Sequence, residues 1–131
     1  MSDKLNISPI VIGISLVASP TKFKLVKGLI ERLTLKEISD MYGIKYKYLV
    51  RLANDLVKKG LVSKSRLFRN SVYIPIPDLV KGFRISCIEL YRRTSKLNDS
   101  ERVKYLKMYG ITFEELMKIV KKDVVESEPI E

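Results

Sequence analysis

The chain has no histidine and no tryptophan, and a single cysteine, Cys87, in 131 residues. Glutamine is missing as well. One cysteine cannot form a disulfide within the chain. Without imidazoles or paired thiolates, the usual zinc-type cluster has no ligands, and no metal or cofactor is expected. Histidine acid–base catalysis and any Ser-His or Cys-His pair fall away too. No glycine loop of the phosphate-cradling kind is present, so an enzyme is not expected. Long apolar runs are also missing. The longest, PIVIGISLVA at 9–18, is broken by Gly13 and Ser15, well short of the roughly 18 residues that span a bilayer. No basic segment of the signal-peptide kind precedes it. A cytoplasmic protein without membrane contact is expected. The missing residue types, with abundant Lys, Glu, Ile, Val and Tyr, resemble hyperthermophile usage and suggest an archaeal source.

What is present is positive charge, and it is concentrated. The net charge is +10. Residues 45–70 hold Lys45, Lys47, Arg51, Lys58, Lys59, Lys64, Arg66 and Arg69 against Asp55 alone, a net +7 in one fifth of the chain. A local basic surface is the footprint of a polyanion binder. The competing reading is a face kept basic for solubility.

Capping chemistry marks most elements. Ser8-Pro9 suits a helix start, yet Ile10, Ile12, Ile14 and Leu16 alternate like a strand, so 9–18 stays open between helix and strand. Ser19-Pro20 begins a helix to about Arg32, with Phe23, Val26, Leu29 and Ile30 at helical spacing. Thr34-Leu-Lys-Glu37 is a capping box for a short helix with Ile38 and Met41 inward, ended at Tyr42-Gly43. In KYKYLVR, residues 45–51, lysine and tyrosine alternate as a strand would. Ile44, Leu49, Leu52, Ala53 and Leu56 nevertheless keep helical intervals, and Gly60 is a natural stop. The segment 45–59 therefore reads as one helix. Residues 61–67 and 71–75 read as two strands joined by Phe68-Arg69-Asn70, stopped by Pro75 and Pro77. Phe68 at the hairpin tip belongs either to the hairpin's own packing, the reading preferred, or to an exposed wedge. Asp78 begins a long helix to about Lys96. Asn98 or Asp99 starts another, to Tyr109-Gly110. Thr112-Phe-Glu-Glu115 caps a last helix to about Val125, with Val103, Leu106, Leu116, Met117 and Val120 inward. The end, ESEPIE, reads as a frayed acidic tail.

The order is helix, short helix, glycine turn, basic helix, hairpin. In "SPTKFKLVKGL", "LTLKEISDMYGI" and "L…KKGLV" the chain resembles the winged helix-turn-helix family, closest to ArsR- and MarR-type transcription regulators. The resemblance covers about 58 of the 131 residues. It implies a mostly α fold with a small β-hairpin wing, placed at residues 1–76; outside the resemblance, 77–125 reads as a C-terminal helical extension and 126–131 as an acidic tail. It also implies sequence-specific binding of double-stranded DNA. Helix 45–59 would lie in the major groove, about 12 Å wide, with its first turn nearest the bases. Lys45 and Lys47 would meet phosphates or guanine acceptors. Arg51 would read guanine with two hydrogen bonds. Tyr46 and Tyr48 would offer hydroxyls and ring faces, or else one of them packs on the preceding helix. Asn54 would reach adenine only under deep insertion. Lys64, Arg66 and Arg69 on the wing at 61–75 would grip the flanking backbone. Lys58 and Lys59 suit the helix dipole better than DNA. The family's metal-sensing members use paired thiolates or imidazoles, which this chain lacks.

The long C-terminal half departs from the family's short final helix. Val80, Phe83, Cys87 and Leu90 step by 3, 4, 3, as a packing seam does, and are expected to form a homodimer interface, with Cys87 a buried small hydrophobe. A helical cap on the monomer is the plainer reading. The alternative function is a protein–protein docking module in a replication, transcription or segregation complex.

Overall fold

The computed structural model describes residues 8–67 and 70–127. Among them are seven helices and one hairpin: α1 (Pro9–Ala18), α2 (Pro20–Ile30), α3 (Leu35–Tyr42), α4 (Tyr46–Lys58), β1 (Val62–Leu67), β2 (Asn70–Pro75), α5 (Pro77–Thr94), α6 (Asp99–Lys107) and α7 (Phe113–Ser127). Phe68, Arg69 and the tail beyond Ser127 lie outside the described residues. The two strands are antiparallel, with Val62 opposite Pro75 and Lys64 opposite Tyr73.

Local chemistry sets the helix starts. Ser8 accepts the Val11 N–H and Pro9 occupies the first turn, so the open segment is a helix. Ser19 accepts from Lys22 in the same way. Thr34 and Glu37 exchange both capping-box bonds, as do Asn98 and Glu101. Thr112 and Glu115 also exchange both bonds, at 3.0 and 3.1 Å. Side-chain oxygens thereby satisfy N–H groups that the helix itself leaves unpaired. Helix ends follow the same logic. Gly43 and Gly60 have φ of 66° and 76°, where glycine pays no side-chain penalty. The end of α2 places Arg32 in that region instead, at φ 66°. Its N–H bonds the Leu29 carbonyl and the Leu33 N–H bonds that of Gly28, closing a Schellman turn around a non-glycine residue.

One apolar core runs through both halves of the chain. Phe23 of α2 lies 4.9 Å from the Phe83 ring of α5 and 5.3 Å from Tyr109, measured between ring centroids. Tyr109 in turn donates its hydroxyl to the Val17 carbonyl at 2.6 Å. Helices α1 and α5 lie against each other where neither has a Cβ. A Cβ on Gly13 would strike Ile85, and one on Gly82 would strike Ile12. Arg102 of α6 closes the end of α5 by donating to the Thr94 and Leu97 carbonyls, while its guanidinium lies 4.2 Å from the Phe113 ring centroid.

Three expectations are corrected. Met41 is 57% exposed rather than inward. The buried strip of α3 is Leu35 and Ile38, continued by half-buried Tyr42, a step of four that turns Met41 outward. Val103 is 66% exposed. Leu106, Tyr109, Ile111 and Leu116 fill the interior there. Finally, Phe83, Cys87 and Leu90 are buried in the chain's own core, and Val80 is half-buried. Their 3-4-3 spacing is a packing seam, but its partners are helices of the same chain. Phe83, Cys87 and Leu90 therefore have no surface to offer a second protomer.

Candidate functional site

The amphipathic helix α4 buries Leu49, Ala53 and Leu56 and turns its other side outward. Lys45, at its N-cap, makes no side-chain cap hydrogen bond. Lys45, Tyr46, Lys47, Tyr48 and Arg51 are all exposed, with Tyr46 at 51% and Tyr48 at 43%. Of the two alternatives for these tyrosines, their exposure favours rings turned outward over packing on the preceding helix. Lys47, Arg51, Asn54 and Lys58 follow at steps of four, three and four, so they form one row along the helix. Thirteen residues give α4 a length of about 20 Å.

The hairpin joins this row. Lys64 is cross-strand from Tyr73. Its ammonium sits 5.5 Å from the Tyr73 ring centroid and donates to the Asn54 amide oxygen at 3.4 Å. The Tyr73 hydroxyl donates to that same oxygen, also at 3.4 Å. Asn54 therefore ties α4 to both strands, and Lys64 is carried beside the α4 row rather than out along the hairpin. Arg66 is exposed on β1, and Arg69 lies outside the described residues. The sequence reading gave Asn54 and Lys64 separate tasks and missed Tyr73 altogether. Asn70 belongs to β2 rather than to the connection, a register that sets Lys64 opposite Tyr73 where the expected one sets it opposite Ile74.

The charge of the site is largely uncompensated. Lys59 pairs with Asp55 at 3.0 Å. Among the described residues, Lys45, Lys47, Arg51, Lys64 and Arg66 face no carboxylate within salt-bridge distance. Such a surface presents hydrogen-bond donors and positive charge, with two phenol rings beside them. It suits an extended anion. Elsewhere, Cys87 is fully buried, and burial pushes its thiol up to about 12. It is an inert apolar filler in this fold. Among the described residues no group of three or more His, Cys, Asp or Glu is placed to hold a metal ion, and no helix is long and apolar enough to cross a membrane.

Comparison with protein-family models, with curated proteins and with solved structures found no match to this chain.

Proposed function

We propose that this chain is a sequence-specific double-stranded DNA-binding transcription regulator of the winged helix-turn-helix kind. In this reading α3 and α4 are the helix-turn-helix, joined through Gly43, and β1–β2 is the wing. The observation that carries it is the row of exposed cations on α4, Lys47, Arg51 and Lys58, extended by Lys64 from the hairpin. A helix about 10–12 Å across fits the major groove, which is about 12 Å wide. Lys45, Tyr46, Lys47 and Tyr48 then enter first, and Arg51 follows one turn later. Arg51 has the planar fork that matches guanine O6 and N7, whereas the lysines act as point charges on phosphates. Asn54 is engaged with Lys64 and Tyr73, so base reading falls to Arg51 and the tyrosines. Arg66 holds the flanking backbone.

Selection of bound sequences from a random duplex pool, with mobility shifts at several salt concentrations, tests the reading. A recurrent motif bound in a salt-dependent way is expected. No shift on any duplex at low salt would overturn it and favour the protein-docking alternative.

A further inference from the structure

Among the described residues, Lys27 of α2 is the one buried side chain that carries a charge. Its ammonium donates to the Glu31 carboxylate at 2.9 Å and lies 3.6 Å from the Glu115 carboxylate on α7. Burial works against its charge, but the Glu31 hydrogen bond and the neighbouring Tyr42, Glu31 and Glu115 outweigh it, and its pKa lies above the ordinary lysine value. Lys27 is therefore a charged group held inside the fold. Glu115 does two things at once. Its Oε1 accepts the Thr112 N–H at 3.0 Å and closes the cap of α7, while its Oε2 faces Lys27. The first turn of α7 is thereby fixed against α2.

The same corner touches the helix-turn-helix a second time. Gly110, in the connection from α6 to α7, has φ of 64°, and a Cβ there would strike the Tyr42 ring. The backbone at Gly110 thus lies directly against that ring. The Lys24 ammonium is 5.7 Å from the centroid of the same ring. Tyr42 is the last residue of α3, and the turn into α4 follows at once. In that turn the Ile44 N–H bonds the Ser39 carbonyl at 3.2 Å, and the Ser39 hydroxyl donates to the Ile44 carbonyl at 2.6 Å. Residues 110–115 therefore hold α2 through Lys27 and the end of α3 through Tyr42.

Stability alone does not account for the charge. The Glu31 and Glu115 side chains are 44% and 47% exposed, so water would solvate both without Lys27. Taking an ammonium out of water is costly, and replacing a buried ion pair by apolar residues of similar volume is often neutral or stabilising. What such a pair supplies is register, because the charges must meet at one place. We propose that Lys27 and Glu115 are positioning residues. They lock the corner at 110–115 onto Tyr42, and the corner holds the α3–α4 turn and with it the angle at which α4 is presented. The consequence for DNA rests on the reading of α4 as the recognition helix; the hold on the turn does not.

Hydrogen exchange on the full chain without DNA tests that hold. In Lys27→Met the Ile44 amide should exchange roughly 2- to 30-fold faster, the range expected of a residue that couples two sites. The Leu90 amide, in the buried part of α5, should keep its wild-type rate. An unchanged Ile44 rate overturns the proposal. So does equal acceleration at both amides, which is general destabilisation. Binding supplies the second readout. Discrimination between the selected site and random duplex should fall by a similar factor, with random-duplex affinity unchanged, because Lys27 is buried and grips no phosphate. Intact discrimination overturns the positioning of α4. A wild type that binds no duplex removes the DNA reading, and the exchange rates then decide the hold on the turn by themselves. Should Lys27→Met fail to fold, Glu115→Gln takes its place. Its amide oxygen still caps Thr112 while its charge is gone, and the same results support or overturn the proposal.

Discussion

The charge on α4 and β1 makes a quantitative prediction about salt. Lys45, Lys47, Lys64 and Arg66 are exposed and face no carboxylate within salt-bridge distance among the described residues, while Arg51 is the residue proposed to read bases. Each phosphate neutralised on duplex DNA releases condensed counterions and contributes about −0.9 to the slope of log K against log salt. If these four cations engage phosphates, the slope is about −3.6 per protomer. Raising salt fourfold, from about 50 to 200 mM, would then weaken binding roughly 150-fold. Fluorescence anisotropy with a short labelled duplex of mixed sequence measures this directly. Lys47→Ala should reduce the slope by about 0.9. Lys118→Ala, which removes an exposed lysine from α7, should leave it unchanged while altering net charge by the same amount. The control separates a located contact from general attraction by a +10 protein. A flat salt dependence, or equal slope changes for the two variants, would refute the reasoning.

Four further outcomes are expected. Arg51→Ala should cost about 1–3 kcal/mol on the selected site and little on random duplex; equal losses would remove Arg51 from base reading. Asn54→Ala and Lys64→Ala should be non-additive in DNA affinity, with a coupling of about 0.5–1 kcal/mol in a double-mutant cycle, because Asn54 positions the Lys64 ammonium; additive losses would mean that the two act separately. Arg32→Gly should raise stability by about 0.5–1 kcal/mol, read from the denaturation midpoint, because φ of 66° penalises any residue with a Cβ. Cys87 should make stability fall in alkali. Its thiol is raised from 9.0 to about 12 in the folded state, so the unfolded chain loses this proton first. Stability is then full below pH 9 and declines towards pH 12, and Cys87→Ala should flatten that decline in alkaline melts.

Helix starts were legible because capping is local. Ser8, Ser19, Thr34 and Thr112 each act on an N–H three residues away, and a sequence window contains the whole interaction. The cations of α4 were legible for a related reason. Exposed charge needs no partner, so its place on the helix follows from periodicity alone. Inward residues of short helices were harder. On α3 a step of three would choose Met41 and a step of four Tyr42, and only the neighbouring helices decide between them. The contact of Asn54 with the hairpin was not legible because its partner Tyr73 is 19 positions away and is brought close only by the hairpin register.

The hardest feature to read was the partner of an apolar face. Alternating isoleucines suggested a strand at 9–18 because residues two apart share a strand face. On a helix, residues two apart lie about 200° around the axis, so the same alternation paints both sides. Ile12 and Leu16 go inward while Ile10 and Ile14 go outward. Conversely, the 3-4-3 seam of Phe83, Cys87 and Leu90 looked intermolecular but is satisfied inside the chain. Periodicity says that a face must be covered, not by what. The coverage is decided by two glycines, Gly13 and Gly82, which let α1 and α5 approach closely enough to seal one side of α1 and leave the other open. Among the described residues, Ile10, Val11 and Ile14 are the large apolar side chains of α1 that this packing leaves uncovered.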